Sequence, residues 1–258
     1  MLAIERKNEI LDKLRTEQRV VVGELAAHYG VTEETIRRDL DKLEREGYAT
    51  KTYGGAIWGN STKTDLSYTI RNKTNVEAKH AIARLVSAAI SDGDHIMLDD
   101  SSTSLYVAKH IKDKKDLTVI TNSVEIIMEL SGVEGWNIMS TGGRLKAETL
   151  ALVGPQCQQM IQNFHVDKAI LSCKGVAPSG AVTDSSEYHA STKQAMMASA
   201  AQTILALDDS KFDKISFVKI TELSQIDCVV TNRRPSRPWL QRLEALHLRC
   251  LYPAEETT

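Results

Sequence analysis

The sequence predicts an α/β protein: a small helical head closed by a β-hairpin, followed by a larger, mainly parallel α/β domain. Three observations carry this. Short apolar stripes at helical spacing repeat before residue 46. Gly54-Gly55 then joins two short extended pieces. From Glu77 onward, helical stretches alternate with short apolar runs, the pattern of a parallel sheet covered by helices. The expected division is a head at 1–58, a linker at 59–75 and a second domain at 76–258.

In the head, Ile10, Leu11 and Leu14 define the first helix, and Leu25, Ala26 and Tyr29 the second. Gly30 permits the positive φ of a tight turn between helices. Thr32 caps a third helix whose first turn holds Glu33 and Glu34, and Gly47 ends it after Arg45 or Glu46. Extended pieces follow at 48–52 and 56–58. The polar stretch 59–75 shows no periodicity and reads as a linker. Beyond it, helices are expected at 79–90, 105–111, 155–163, 187–201 and 239–247. Strands are expected at 95–98, 117–120, 136–140, 168–172, 204–207 and 228–231.

Composition is that of an ordinary globular chain, 42% hydrophobic and 26% charged over 258 residues. The charged, amphipathic start lacks the apolar core of a secretion signal, and no apolar run is long enough to span a bilayer, so a cytoplasmic location is expected. Cys157, Cys173, Cys228 and Cys250 are widely spaced and read as small buried residues. The histidines form no metal-binding pattern; neither metal nor cofactor is expected. Net charge is −2, and residues 1–58 carry ten Lys/Arg against eleven Asp/Glu. A case for nucleic-acid binding therefore rests on where charges sit.

On the third helix Ile36, Leu40 and Leu43 share one face and must pack inward. Glu34, Arg38, Lys42 and Arg45 project from the opposite face, flanked by Thr35 and Arg37. Such a face suits a major groove: Arg bonds guanine bidentately, Glu accepts from cytosine, Thr meets a thymine methyl or a phosphate. The Tyr53-Gly54-Gly55 tip, with Lys51 beside it, would run along the backbone as a wing, its glycines bringing N–H groups near phosphates. Thr32, Glu34, Thr35, Arg37, Arg38, Lys42, Lys51, Tyr53, Gly54 and Gly55 are the expected contacts to double-stranded operator DNA. The competing reading is a charged, solvated surface helix.

In parallel sheets ligands bind beyond the carboxyl ends of the strands. Four loops there are polar: Asp99-Asp100-Ser101-Ser102-Thr103-Ser104, Thr121-Asn122-Ser123, Thr141-Gly142-Gly143-Arg144 and Lys174-Gly175. The first opens a helix, where backbone N–H groups and hydroxyls hold a phosphate or sugar hydroxyls. Taken singly, each cluster is an ordinary cap or turn.

The stretch 20–56 resembles the DeoR family of bacterial sugar-metabolism regulators. The landmarks are Glu24-Leu25, Val31-Thr32, Thr35-Ile36-Arg37-Arg38-Asp39-Leu40, Leu43, Gly47 and Gly54-Gly55-Ala56. The resemblance implies a winged helix-turn-helix with Thr35, Arg37 and Arg38 in its recognition helix, and Asp39 holding an arginine. It continues to about Thr231 and implies a second domain resembling ribose-5-phosphate isomerase and glucosamine-6-phosphate deaminase. There the first loop would grip a sugar phosphate, with inducer roles for Thr121-Asn122, Gly142-Gly143, Lys174 and Lys193; Asp209-Ser210-Lys211-Phe212 is a further landmark. The chain departs from the family pattern at Tyr53, where His is usual, and at Ser102, where Gly is usual. It also carries Tyr188-His189 where a Glu precedes the Lys193 position, a role Asp184 or Glu187 would take over.

The function implied is a homo-oligomeric repressor, dimer or tetramer, of a carbohydrate catabolic operon, controlled by a phosphorylated sugar. An activator answering a non-phosphorylated ligand is the alternative. An enzyme is disfavoured because Lys174 stands where phosphosugar isomerases place paired acids, and no Asp or Glu follows until Asp184. A second domain that only oligomerises is the remaining rival.

Overall fold

The computed structural model describes residues 2–45, 48–58 and 68–254. By its contacts the chain divides into two units, 1–71 and 72–258.

The first unit runs α1 (Ala3–Glu17), β1 (Arg19–Val21), α2 (Val22–Tyr29), α3 (Glu33–Arg45), β2 (Ala49–Thr52) and β3 (Gly55–Trp58). Ile10, Leu14, Leu25, Ile36, Leu40 and Leu43 meet in one core. Gly30 adopts φ 62° and donates its N–H to the last carbonyls of α2. Thr32 accepts from the Thr35 N–H at 3.3 Å and starts α3. The expected stop at Gly47 and Glu46 lies outside the described residues.

The three strands form an antiparallel sheet in the order β1-β3-β2. Gly55 pairs with Val21 on one side and Thr52 on the other. A Cβ there would meet the Val20 carbonyl oxygen at 2.1 Å. Gly55 is therefore buried in the sheet, which corrects the expectation that it approaches phosphate; its lack of a side chain lets β1 close on the hairpin.

The second unit begins within α4 (Tyr68–Lys73) and continues through α5 (Val76–Ala88), β4 (His95–Leu98), α6 (Ser102–His110), β5 (Thr118–Thr121), α7 (Val124–Leu130) and β6 (Asn137–Ser140). A hairpin of β7 (Arg144–Lys146) and β8 (Ala151–Val153) leads to α8 (Pro155–Gln162), β9 (Val166–Leu171), β10 (Gly175–Val176) and β11 (Ala181–Asp184). Then come α9 (Glu187–Ala198), β12 (Ala200–Ala206), β13 (Val218–Glu222), β14 (Cys228–Val230), α10 (Arg237–Ala245) and β15 (Arg249–Leu251). Residues 68–73 correct the reading of 59–75 as irregular throughout: a six-residue helix is too short for its period to stand out.

Seven strands form one parallel sheet in the order β15-β14-β12-β9-β4-β5-β6. Its inner strands are buried on both faces, which explains their continuous apolar runs. From β4 the chain winds outward to β5 and β6, then returns to β9 and winds the other way. The order thus reverses between β4 and β9, where open α/β sheets place ligands. A smaller antiparallel sheet, β10-β11-β13, packs alongside. All four cysteines are free, and burial pushes the Cys173 thiol up to about 11, leaving it unreactive. Among the described residues no helix is long and apolar enough to cross a membrane, and no group of three metal-ligating side chains occurs.

Gly55→Ala forces a methyl against backbone and should destabilise the first unit by about 2–3 kcal/mol, a typical overpacking cost. Chemical denaturation of the full chain, followed through Trp58 fluorescence, measures the loss.

Candidate functional site

The outer face of α3 carries two exposed ion pairs, Arg37–Glu33 at 2.8 Å and Arg38–Glu34 at 3.3 Å. Exposed i,i+4 pairs hold a side chain by only about 0.3–0.5 kcal/mol, so both arginines can be recruited elsewhere. Thr35 shares its hydroxyl with Thr32 at 2.9 Å, and Lys42 is exposed. Lys51 pairs with Asp41, which raises its ammonium pKa, and its N–H bonds Glu44 at 2.8 Å. Tyr53 is fully exposed at the hairpin tip beside Gly54, whose φ is 88°. Asp39 points inward and holds Arg6 of α1 at 2.6 Å, both side chains buried. α3 is thereby locked to α1 while its polar face stays exposed.

At the carboxyl ends of β4, β5 and β9 the polar loops converge, and the fold itself consumes part of them. Asp99 is fully buried and accepts from the Ser101 N–H at 3.1 Å, the Ser104 hydroxyl at 2.6 Å and the Ser172 N–H at 2.9 Å. Lys193 lies 3.5 Å from it and bonds Asp184 more closely. Burial raises the Asp184 pKa, but Lys193 and Lys174 outweigh it and hold the carboxyl below the usual range. Burial likewise lowers Lys193, yet Asp184, Asp99 and Asp100 keep it firmly protonated.

Two expectations change. Asp99 is saturated and has no capacity for sugar hydroxyls, and the Lys193 charge is already matched. The same holds for several hydroxyls. Ser101 caps α6 by accepting from the Ser104 N–H at 3.0 Å, and Ser123 caps α7 through Ile126 at 3.3 Å. Thr121 donates to the Leu98 carbonyl at 2.7 Å.

Other groups remain available. Ser102 and Thr103, the first two residues of α6, present N–H groups that precede the helix's internal bonding. Asn122 donates to the Leu152 carbonyl at 3.2 Å and to Asp100 at 3.4 Å, but its Oδ1 is buried with no partner, as is the Ser172 hydroxyl. A buried polar atom left unpaired costs about 1–3 kcal/mol, so two at the ends of β5 and β9, on either side of β4, mark a place for hydrogen-bonding groups from outside the fold.

His189 joins this cluster, 3.1 Å from Asp100 on one ring nitrogen and 3.5 Å from Lys146 on the other. It lies one helical turn before Lys193, which is the signal by which sequence reading could have found it. Glu187, expected to stand in for a family Glu, is exposed instead. Gly142 and Gly143 adopt φ 63° and 103°, and a Cβ on Gly143 would meet the Val153 carbonyl at 2.7 Å. Arg144 is exposed and stacks over Tyr188 at 5.2 Å. Half-buried Lys174 lies by Asp184, and Lys211 donates to the Cys173 carbonyl at 2.6 Å.

Lys193→Ala leaves Asp99 and Asp184 buried without their cation and should cost about 3–5 kcal/mol in urea denaturation. The folded Asp184 pKa is depressed, so its stabilisation is complete above the usual carboxylate range and is lost as pH falls through the folded value. A pH series of the same denaturation curves should show Asp184→Asn flattening that acid limb.

Comparison with known proteins agrees with this division. The family profile described as the DeoR-like helix-turn-helix domain matches residues 6–62, and the DeoR C terminal sensor domain matches 74–233. The uncharacterized HTH-type transcriptional regulator YulB of Bacillus subtilis is 38% identical over 232 residues, covering 90% of each chain. The HTH-type transcriptional repressor GlcR of the same organism is 36% identical, covering 93% of this chain and 92% of its own. The transcriptional repressor AccR of Agrobacterium fabrum is 34% identical, covering 88% and 89%. All three relatives are named as transcription regulators or repressors. Ribose 5-phosphate isomerase A of Methanocaldococcus jannaschii shares 15% identity over 54% of this chain and 55% of its own, at a TM-score of 0.40. A likeness that low adds nothing to the architecture read directly from the sheet. With both its DNA-binding and its sensor segments matched, the chain belongs to the DeoR family of transcription regulators.

Proposed function

We propose that this chain is a cytoplasmic repressor of a carbohydrate catabolic operon whose grip on DNA is set by a phosphorylated sugar. The observation that carries the effector reading is the buried, incompletely satisfied cluster at the ends of β5, β4 and β9. The free N–H groups of Ser102 and Thr103 offer a phosphate the positive end of α6. Half-buried Lys174, beside Asp184 and three residues past the end of β9, is the cation this reading assigns to it, since Lys193 bonds Asp184 and faces Asp99 within the core. Asp100, Asn122 and the Ser172 hydroxyl then face the sugar, whose hydroxyls supply the donors and acceptors the fold leaves out. Repression follows the names of the relatives GlcR and AccR.

In the head, Arg38 and Arg37 leave their weak glutamate pairs for base edges, and Thr35, Glu34 and Lys42 flank them. Lys51, Tyr53 and Gly54 follow the backbone. One winged head covers one half-site, so the working form is at least a two-fold dimer.

Isothermal calorimetry with matched sugars and sugar phosphates tests the effector reading. The phosphates should bind at least tenfold more tightly, about 1.4 kcal/mol, given charge-assisted contacts. Thr103→Ala and Lys174→Ala should each lose the effector response while keeping DNA affinity. Equal binding of free sugars, or a normal response from Lys174→Ala, would contradict the phosphate assignment.

Fluorescence anisotropy tests the head. Arg38→Ala should cost about 1–3 kcal/mol on operator and little on scrambled DNA. Lys51→Ala should weaken both duplexes alike and flatten the salt dependence. Equal losses on both duplexes for Arg38→Ala would remove it as a base reader.

A further inference from the structure

Asn75 is the N-cap residue of α5, yet it does not cap. Its φ is 51°, where a capping residue is normally extended, and its side chain makes no bond to the helix. The amide instead donates to Asp208 at 3.2 Å and lies 3.5 Å from the Ser210 hydroxyl, more than 130 residues along the chain. Asp208 is buried and receives the Ser210 N–H at 3.1 Å as well as the Ser210 hydroxyl. Burial alone would raise its pKa, but Lys211, Ser210 and Lys79 together hold it ionised. Lys79, buried in the first turn of α5, bonds the Thr74 carbonyl. The carboxylate thus faces Lys211 of its own turn as well as Asn75 and Lys79 at the start of α5.

Lys211 closes the other end. Its ammonium donates to the Cys173 carbonyl at 2.6 Å, between Ser172, whose N–H is bound to Asp99, and Lys174. The turn Asp208–Lys211 is therefore pinned at one end to the edge of the effector cluster. At the other end it is pinned to the residues that open the sensor unit, which begins at Asn72 within the last turn of α4.

We infer that Asp208 and Asn75 are positioning residues that pass the state of the effector site to the start of α5, the segment joined through α4 to the DNA-reading unit. The inference rests on the effector site proposed above. An anion bound beside Lys174 draws the Lys211 ammonium away from the Cys173 carbonyl. The turn then loses its pin at the pocket, and its hold on Asn75 weakens with it. A ligand changes DNA occupancy only by favouring one of two states, and the hold on α5 is the element whose state this contact sets.

The test uses hydrogen–deuterium exchange on the full chain without any effector, comparing wild type, Asn75→Gly, Lys211→Gln and the double variant. Glycine accepts the positive φ of residue 75, so Asn75→Gly removes the amide contact without straining the backbone. Each single variant should speed exchange in the first hydrogen-bonded turn of α5, residues 79–82, by about threefold or more, and the double variant should add nothing. The inference is overturned if Lys211→Gln loosens residues 209–212 but leaves 79–82 unchanged. It is equally overturned if the two substitutions multiply their effects. Should Lys211→Gln fail to fold, Lys211→Arg, which keeps the charge but shifts the contact, is read by the same criteria. Because no ligand enters the measurement, its outcome is separate from that of the calorimetry, which alone decides whether a sugar phosphate is the effector.

Discussion

Asp99 is a buried carboxylate on which four segments depend. It leaves β4, receives two groups from the opening of α6, one from the end of β9, and faces Lys193 of α9. A charge removed from water is tolerated only when its lone pairs are filled and a counter-charge is near. Meeting that requirement draws β4 and β9 together at the point where the strand order reverses. It also consumes Ser101, Ser104 and the Lys193 charge, and so decides which polar groups remain for a ligand. The Ser102 and Thr103 N–H groups, Asn122 Oδ1 and the Ser172 hydroxyl are what the structural demand leaves over.

The head answers a similar constraint on a smaller scale. Asp39 and Arg6 form a buried pair that fixes α3 against α1, while Arg37 and Arg38 sit in exposed pairs that cost little to break. Within one helix the buried acid is structural and the exposed bases are available for recognition. Gly55 belongs to the structural side too, since its missing Cβ admits the Val20 carbonyl.

Much of this was legible in the sequence. Helical apolar spacing at Ile10–Leu14 and Ile36–Leu43, the Gly30 turn and the Thr32 cap define the head, and the parallel strands announce themselves as apolar runs. Strands β1, β7, β8 and β15, of three residues each, show no period in the sequence, and each exists through its partner. Within the site, adjacent residues of one type separate only in three dimensions. Asp99 and Asp100 look equivalent in the sequence, yet one is saturated by the fold and the other faces Asn122 and His189. Likewise Ser101 and Ser104 are bound within the turn while Ser102 between them is not. His189 stands in the sequence only as a departure from the family Glu, although its spacing to Lys193 puts both on one helix face.

The central claim is that a phosphorylated sugar is held at the reversal point between β4 and β9. A crystal structure of the full chain with the sugar phosphate that most raises its melting temperature tests this most directly. The account predicts the phosphate against the Ser102 and Thr103 N–H groups, with sugar hydroxyls on Asn122 Oδ1, Asp100 and Ser172, and Asp99 still bound to Lys193. A ligand seated elsewhere in the sensor unit, or one that displaces Lys193 from Asp99, would contradict it.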